Sequence, residues 1–294
     1  MSGSRSGPTL LGIGAQKSAT SWLHAVLGAH PEIGVSHPKE IDFFTARFDR
    51  GYRWYEHAFA QIAHLPVRAE VSPSYLPDLA AASRVRTYWP HMRIVVMLRN
   101  PVESAFSNHL HEVRKKHIPP LTFEDGLARN PAYLEQGRYG THLARWAEVF
   151  PKEQILALVA ERVTEDPAGA AQEIYRFAGV GAGVETAIAG ERRNRSDRAR
   201  SPMLRRVLRF GGDRMRGVGF EEPLARIKAT RPVAALLKAN SVDLRAEVAA
   251  MRPETRARLT AFFAPEMQRL CDLLGWSSSP WPEWRVSGGV RRVG

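Results

Sequence analysis

The chain has 294 residues, and its 42 lysines and arginines against 30 aspartates and glutamates give a net charge of +12 with histidine neutral. This length allows one large α/β domain or two small ones, and the charge suits an anionic ligand, a nucleic acid or an acidic surface. The single cysteine, Cys271, excludes an intramolecular disulfide, and no apolar run reaches the length of a membrane span. Residues 1–8 are small and polar, without a hydrophobic signal segment, so we expect a soluble, cytoplasmic protein with a flexible N-terminus.

The first motif is the stretch LLGIGAQKSATSWL at residues 10–23, which predicts a buried strand, a tight loop and the start of a helix. Such a loop directs backbone N–H groups and a helix N-terminus at one point, which makes an anion site. Lys17 adds a positive charge and Ser21 a hydroxyl donor, and Ser18 or Thr20 is expected to cap the helix. A phosphate or sulfate ester is the natural ligand, and the alternative is an ordinary strand–turn–helix with a solvated lysine.

The loop fits neither of two common phosphate-binding motifs. A Walker A loop has glycine directly before its lysine, but Gln16 precedes Lys17. A dinucleotide fingerprint has a third glycine where this chain has Lys17. The sequence therefore predicts a phosphate-binding loop of another kind.

Strands and helices alternate through the next part of the chain. Strands are predicted from short apolar runs at 33–35, 67–71, 93–98 and 155–159. Helices are predicted at 22–29, 51–59, 80–89, 101–116, 122–129, 138–150, 166–178 and, further on, 253–274. Because parallel strands in such an alternation are joined by helices, the pattern predicts an α/β fold with a central parallel sheet flanked by helices.

The sequence becomes rich in arginine after the last of these strands. A basic loop is predicted at 191–200 and a basic amphipathic helix at 201–210, and 285–294 is expected to be a flexible tail. No sharp boundary divides the chain. We therefore predict a single domain at 9–284, in which 205–245 is a variable or acceptor-side region.

Three polar stretches follow predicted strands, at Gln16–Ser21, Glu70–Tyr75 and Arg99–Ser107. These stretches lie at the carboxyl ends of the strands, and doubly wound sheets bind ligands at that edge. Arg99 leaves its strand, and Ser107 lies two turns into the following helix, so the pair is suited to hold a second phosphate. Two anion sites at one edge suggest a nucleotide that is phosphorylated at both ends.

These motifs resemble those of the sulfotransferases that use 3′-phosphoadenosine 5′-phosphosulfate (PAPS). QKSATSWL resembles the family's 5′-phosphosulfate loop, and LRNPVESAFSNH resembles its 3′-phosphate motif, with Arg99 and Ser107 at the matching positions. PKEIDFF resembles the loop that carries a catalytic glutamate in heparan-type carbohydrate sulfotransferases. Further likeness lies in EVSPSYL, GRYGTHLARWAEVFP, RNRSDRARSP and FFAPEMQRLCDLLGW. The chain departs from the family at Ala19, where glycine is commoner, and at Val71, where heparan-type enzymes carry a functional lysine.

The resemblance implies a sulfotransferase fold like that of P-loop nucleotide hydrolases, and it implies roles for individual residues. Lys17 neutralises charge on the leaving 5′-phosphate, and Glu40 is the general base for an acceptor hydroxyl or amine. The strand at 33–35 is expected to neighbour the nucleotide loop, so that its end faces the transferred group. The implied nucleotide contacts are Lys17, Ser18, Ala19, Thr20, Ser21, Trp22, Arg99, Ser107, Tyr139, Arg198 and Arg200. The donor is PAPS, the product is 3′-phosphoadenosine 5′-phosphate (PAP), no metal is implied, and the acceptor is a carbohydrate or another small molecule.

Several residues keep a second interpretation. Tyr139 also belongs to a helical core stripe, and Arg198 and Arg200 also suit a solvated basic loop. Glu40 also suits a simple ion pair with Lys39, and His37 is a rival base because histidine transfers protons near neutral pH.

Two other functions compete with sulfuryl transfer. A P-loop-like kinase of a small metabolite requires a Gly–Lys pair before a Mg²⁺-binding hydroxyl, and Lys17–Ser18 supplies only half of that pattern. A non-enzymatic nucleic-acid binder is suggested by the charge of +12 and by the arginines at 191–216. The family motifs favour the sulfotransferase, with no nucleic-acid partner.

Overall fold

A computed structural model describes residues 6–182, 197–199, 241–243 and 248–285, with the backbone alone at 197–199 and 241–243. The chain divides into two compact units. The first comprises Met1–His109, Glu124–Arg193 and Met251–Gly294, and the second comprises Leu110–Phe123 and Asn194–Ala250.

A five-stranded parallel sheet forms the core of the first unit, as predicted. Its strands are β1 Leu10–Gly14, β2 Ile33–Val35, β3 Val67–Val71, β4 Arg93–Leu98 and β5 Ile155–Val159. The spatial order is β2-β3-β1-β4-β5, and every neighbouring pair is parallel. The chain leaves β1 towards one side of the sheet and leaves β4 towards the other. The crevice between the carboxyl ends of β1 and β4 is therefore the topological switch point, where such sheets bind ligands.

The strands are buried on both faces because their apolar residues alternate between two cores. Leu11 and Val96 belong to one core, and Leu10, Val95 and Met97 belong to the other. Side chains on successive strand residues point to opposite faces, so a fully apolar strand needs helices on both sides. This requirement explains why RIVVML, the sequence of β4, predicts a buried strand.

Helices cover both faces of the sheet. The described helices are α1 Thr20–Ala29, α2 Gly51–His57, α3 Ala81–Tyr88, α4 Pro101–Lys115, α5 Phe123–Arg129, α6 Ala132–Glu135, α7 Tyr139–Val149, α8 Ala160–Glu165, α9 Pro167–Ala178 and α10 Pro253–Leu274. Leu23 of α1 and Tyr175 of α9 pack in one core, and Tyr88 of α3, Trp146 of α7 and Leu270 of α10 pack in the other. Most of these bounds agree with the predicted helices within two residues.

Helix α10 caps the N-terminus of α7 with a carboxylate. Glu266 accepts hydrogen bonds from the Thr141 N–H at 2.8 Å and from the Thr141 hydroxyl at 2.7 Å. The two helices come close at Gly140, where a Cβ would lie 2.5 Å from the carbonyl oxygen of Glu266. The first turn of α7 thus obtains its acceptor from another helix rather than from its own N-cap residue, Arg138.

Two short antiparallel strands belong to the second unit, β6 Asp197–Ala199 and β7 Ser241–Asp243. The predicted basic loop at 191–200 is therefore wrong at 197–199, because pairing with a distant segment, which local composition does not reveal, makes these residues a strand. The helix predicted at 201–210 lies outside the described residues. The same holds for residues 286–294 of the predicted tail and for nearly all of the region 205–245.

The predicted neighbour of the nucleotide loop is also wrong. β3 lies between β2 and β1, with Ala69 of β3 paired with Val35 on one side and with Leu10 on the other. The strand at Ile33–Val35 is thus at the edge of the sheet. Any approach of the following loop to the nucleotide loop depends on the path of that loop and not on strand pairing.

Candidate active site

The loop between β1 and α1 is attached to the neighbouring strand and has two left-handed residues. The Ala15 N–H donates to the Met97 carbonyl of β4 at 2.5 Å, and the Ser18 N–H donates to the Ala15 carbonyl at 3.3 Å. Lys17 and Ala19 have φ values of 63° and 62°. Glycine adopts this backbone conformation without steric cost, whereas an alanine does not. The commoner glycine at the position of Ala19 in the resembled family thus has a conformational explanation.

The predicted side-chain cap of α1 is wrong. Ala19 occupies the N-cap position, Thr20 is already helical, and the Ser18 hydroxyl bonds the Gln16 carbonyl at 3.4 Å. By helix geometry, the N–H groups of Thr20 and Ser21 have no acceptor within α1. The N-terminus of α1 is therefore suited to an anion.

Residues of the turn after β4 and of α4 hydrogen-bond to backbone carbonyls of this loop. The Arg99 guanidinium donates to the Lys17 carbonyl at 3.3 Å, and the Ser104 hydroxyl donates to the Gln16 carbonyl at 2.9 Å. Arg99, which was predicted to hold a second phosphate, thus also hydrogen-bonds to the loop of the first predicted anion site. Sequence reasoning missed Ser104, although its position four residues after Asn100 in LRNPVESAFSNH puts it on the same helix face.

Tyr139 lies completely buried beneath this loop. Burial raises the pKa of its phenol, and the nearby hydroxyls of Ser104 and Ser18 and the charge of Arg99 oppose the shift. Tyr139 also packs in the core with the other apolar residues of α7. Its side chain is therefore part of the core, close to the hydroxyls of Ser104 and Ser18.

The turn that presents Arg99 is fixed by Asn100. The Asn100 side-chain oxygen accepts from the Val102 N–H at 3.0 Å, which caps α4. The Asn100 N–H donates to the carboxylate of Glu161, in the first turn of α8, at 3.0 Å. Ser107 lies on α4 with only 6% of its surface exposed. Arg99 thus leaves a rigid strand end, and Ser107 lies further along the helix that starts there.

The loop after β2 carries Glu40 and approaches the loop after β1. The Lys39 ammonium lies 2.6 Å from the Glu40 carboxylate and 3.3 Å from the Ser21 hydroxyl. Glu40 is 46% exposed and Lys39 is 23% exposed at the side chain. The ion pair expected under the second interpretation of Glu40 is present, and the same lysine connects it to the start of α1.

The remaining residues predicted for the site lie in different parts of the structure. His37 is exposed, and its ring packs edge-on to His24 at 6.0 Å. The Trp22 side chain is buried in the core against which α1 packs, and the backbone N–H of Trp22 donates to the Ala19 carbonyl at 2.9 Å. Arg198 lies on β6 in the second unit, and Arg200 lies outside the described residues.

The model of the sulfotransferase domain family matches residues 8–196, which is more than half of the chain. The chain belongs to the sulfotransferase domain family. Two curated relatives are similar to it. Human heparan sulfate glucosamine 3-O-sulfotransferase 3B1 is 29% identical over 187 residues, which cover 61% of this chain and 48% of that protein. Mouse bifunctional heparan sulfate N-deacetylase/N-sulfotransferase 1 is 29% identical over 196 residues, which cover 59% of this chain and 22% of that protein.

The fold of this chain is shared with a solved structure. The crystal structure of a sulfotransferase from Alicyclobacillus acidocaldarius superposes with a TM-score of 0.68 at 23% identity, covering 91% of this chain and 96% of that one. The predicted sulfotransferase fold is thereby confirmed. The chain spans about half the length of the 3-O-sulfotransferases that it matches. Among the residues described, no helix combines the length and the apolar character that crossing a bilayer requires.

Proposed function

We propose that this sulfotransferase moves a sulfuryl group from PAPS to a hydroxyl or amine of a carbohydrate acceptor. The observation that carries the proposal is that three segments meet at the N-terminus of α1. Arg99 bonds the Lys17 loop, and Lys39 links Glu40 to Ser21 in the first turn of α1. The carbohydrate class is supported by the heparan sulfate enzymes among the relatives.

The residues at this edge fit a nucleotide that carries two anionic groups. The α1 N-terminus offers the N–H groups of Thr20 and Ser21, and Lys17 adds a positive charge beside them, which suits the 5′-phosphosulfate. Arg99 and Ser107 would hold the 3′-phosphate. When bound, PAPS supplies a sulfuryl group activated as a mixed anhydride with the 5′-phosphate, and Lys17 would stabilise the charge that develops on the departing 5′-phosphate.

Glu40 would take the proton from the acceptor. The new bond joins the acceptor oxygen or nitrogen to sulfur, the bond from sulfur to the 5′-phosphate oxygen breaks, and the acceptor proton goes to the Glu40 carboxylate. Its side chain is 46% exposed, so an acceptor can reach it. Lys39 bonds both Glu40 and Ser21, which keeps the base beside the donor loop.

The two competing functions have less support. A P-loop-like kinase requires a glycine directly before its lysine, where this chain has Gln16, and the family match covers the segments that carry Lys17, Glu40 and Arg99. A nucleic-acid binder is suggested only by charge. Sulfuryl transfer is the function that uses Lys17, Arg99 and Glu40 together.

Calorimetric titration with PAP, AMP and ATP tests the nucleotide part of the proposal. Contacts between charged groups contribute about 1.5–3 kcal/mol each, so PAP should bind roughly tenfold or more tightly than AMP. Equal affinity for PAP and AMP contradicts the assignment of Arg99 and Ser107, and a preference for ATP with Mg²⁺ supports the kinase. Transfer of ³⁵S from labelled PAPS to heparosan oligosaccharides with free, acetylated or sulfated amines then tests the acceptor class.

A further inference from the structure

A buried carboxylate lies at the end of β3, outside the proposed reaction. Glu70 is paired with Leu11 of β1 and has no exposed surface. One of its oxygens accepts hydrogen bonds from the Ser72 hydroxyl at 2.6 Å and from the Tyr75 hydroxyl at 2.7 Å. Its other oxygen accepts from the Tyr55 hydroxyl. A carboxylate in the core is costly to keep unless such donors satisfy it, so its position requires an explanation.

Two of these hydroxyls also hold the loop that carries Glu40. The Asp42 N–H donates to the Ser72 hydroxyl at 3.1 Å, and the Phe43 N–H donates to the Tyr75 hydroxyl at 2.9 Å. A backbone N–H only donates, so the Ser72 and Tyr75 oxygens accept from the loop with their lone pairs. The hydrogens of both hydroxyls therefore point at Glu70, and their lone pairs face the backbone of the loop.

The loop needs such support because its backbone is strained. Glu40 and Asp42 have φ values of 64° and 54°, in the left-handed region that side-chain-bearing residues adopt at a cost. Strained conformations persist where surrounding contacts over-determine them. The bonds to Asp42 and Phe43 begin two residues after Glu40, so they fix the direction in which its side chain leaves the loop.

We propose that Glu70 is a positioning residue for sulfuryl transfer, which acts through the hydroxyls of Ser72 and Tyr75 to hold the 40–44 loop and the Glu40 carboxylate. The proposal rests on the proposed function, in which Glu40 is the base. Because misplacing a catalytic group by about 1 Å can cost roughly a hundredfold in rate, Glu70 contributes to catalysis without touching the substrate.

The ionisation state of the Tyr75 phenol agrees with this direction of hydrogen bonding. Burial raises the pKa of Glu70, and the hydroxyls of Ser72, Tyr55 and Tyr75 oppose that rise. Burial and the Glu70 charge raise the pKa of Tyr75 well above its ordinary value. The phenol therefore stays protonated and donates to Glu70, which leaves its lone pair for the Phe43 N–H.

Amide hydrogen exchange of the full chain, resolved to single residues by NMR, tests the hold on the loop. In Glu70→Leu, which cannot accept from the hydroxyls, the Asp42 and Phe43 amides should exchange about tenfold faster or more. If that variant does not fold, Tyr75→Phe decides, because it removes the hydroxyl that joins Glu70 to the Phe43 amide and leaves the bond between Ser72 and Asp42 in place. Tyr55→Phe is the matched control, since its hydroxyl donates to Glu70 instead of accepting from the loop, and both amides should stay within about twofold of wild type. Unchanged exchange of the Phe43 amide in Tyr75→Phe overturns the proposal.

Transfer kinetics test the link to catalysis. With ³⁵S-labelled PAPS at saturation and an N-sulfated heparosan oligosaccharide, Tyr75→Phe and Glu70→Leu should lower the single-turnover rate about tenfold or more. The affinity for PAP should stay within about twofold of wild type, because the donor loop is not part of the network. A merely structural role would lower thermal stability and leave the single-turnover rate unchanged, and that result overturns the proposal.

The exchange experiment and the kinetic experiment together distinguish failure of this inference from failure of the proposed function on which it rests. If wild-type protein transfers no sulfuryl group, the proposed function fails, and if Glu40→Gln transfers at the wild-type rate, the assignment of Glu40 as the base fails. The exchange experiment still decides whether Glu70 holds the loop. If Glu40→Gln is inactive and the Tyr75→Phe loop exchanges faster while its transfer stays normal, the positioning role of Glu70 is overturned.

Discussion

Lys39 donates to Ser21 across two loops, with 3.3 Å between the ammonium and the hydroxyl oxygen. The strands that precede these loops are not neighbours, because β3 lies between β2 and β1. The same ammonium lies 2.6 Å from the Glu40 carboxylate. The positive charge of Lys39 thus stands between the proposed base and the helix N-terminus that would hold the phosphosulfate.

Lys39→Ala should lower the rate of sulfuryl transfer about tenfold to a hundredfold, because removing a preorganised charge beside the transferred group weakens transition-state stabilisation. Lys39→Arg should recover part of that loss. The measurement is single-turnover transfer with saturating PAPS. Lys152→Ala is the control, since that lysine is exposed in the turn before β5, and its rate should match wild type. If Lys39→Ala matches this control, the lysine only pairs with Glu40 in the free protein.

Lys17→Ala should abolish most transfer and leave the fold intact. The side chain leaves the loop at a left-handed residue, next to the helix N-terminus, where loss of one electrostatic contact typically costs roughly 10²–10³ in rate. The turnover rate and the far-ultraviolet circular dichroism spectrum are measured together. Near-wild-type turnover removes Lys17 from the mechanism.

Glu40→Gln should keep the affinity for PAP and lose catalysis, because the amide retains the size of the side chain but cannot accept the acceptor proton. A general base contributes roughly 10²–10⁴ in rate. His37→Ala is the matched comparison from the same loop, and its rate should stay within about threefold of wild type. A large loss in His37→Ala with normal transfer by Glu40→Gln reverses the two assignments.

Ala19→Gly should stabilise the protein by about 0.5–1 kcal/mol, because glycine relieves the left-handed strain at a φ of 62°. Ala257→Gly, at an exposed position inside α10, should instead destabilise it by about 1 kcal/mol. Chemical denaturation of both variants compares the free energies of unfolding. Destabilisation by Ala19→Gly contradicts the strained conformation of the donor loop.

The parts of this fold that are readable from sequence are those with a local signature. The run of β4 is apolar, β-branched and bounded by polar residues, so its bounds were predicted as Arg93–Leu98. Lys17 and Arg99 were predicted to share an edge because the carboxyl ends of parallel strands meet there. Strand order has no local signature, which is why β2 was expected beside the nucleotide loop and β3 occupies that place.

The finer geometry of the site depends on backbone dihedrals and side-chain directions that a sequence does not display. Alanine is rarely found at an N-cap, so the sequence points to Ser18 or Thr20 as the capping residue. The left-handed backbone of Ala19 instead starts the helix at Thr20, and Ala19 becomes the N-cap. Glu70 was part of a predicted strand-end stretch, but its role as an acceptor for Tyr75 depends on which face of β3 it occupies. Sequence reasoning therefore missed the roles of residues such as Ser104 and Glu70, which hold a motif in place from outside it.

Glu266→Gln should remove a pH-dependent part of the stability. Burial raises the pKa of Glu266, but the hydrogen bonds from Thr141 and the charges of Arg138 and Arg269 outweigh it and lower the pKa below the ordinary value of 4.5. A carboxyl whose pKa is lowered in the folded state stabilises the fold above its unfolded pKa, and this contribution disappears as the pH falls through the folded pKa. Hydrogen bonds to a charged group contribute about 1.5–3 kcal/mol, so the variant should be less stable by roughly that amount at pH 7.

The difference in unfolding free energy between wild type and Glu266→Gln should therefore shrink as the pH falls below about 4.5, the ordinary value for this carboxyl. Denaturant titrations at a series of pH values from neutral to strongly acidic measure that difference directly, and other titrating groups cancel because both proteins carry them. Glu173→Gln, at an exposed position in the middle of α9, is the control and should stay within about 0.5 kcal/mol of wild type throughout. A difference in unfolding free energy that stays constant with pH contradicts a lowered pKa of Glu266. The packing of α10 against α7 would then depend on shape and not on the charge of Glu266.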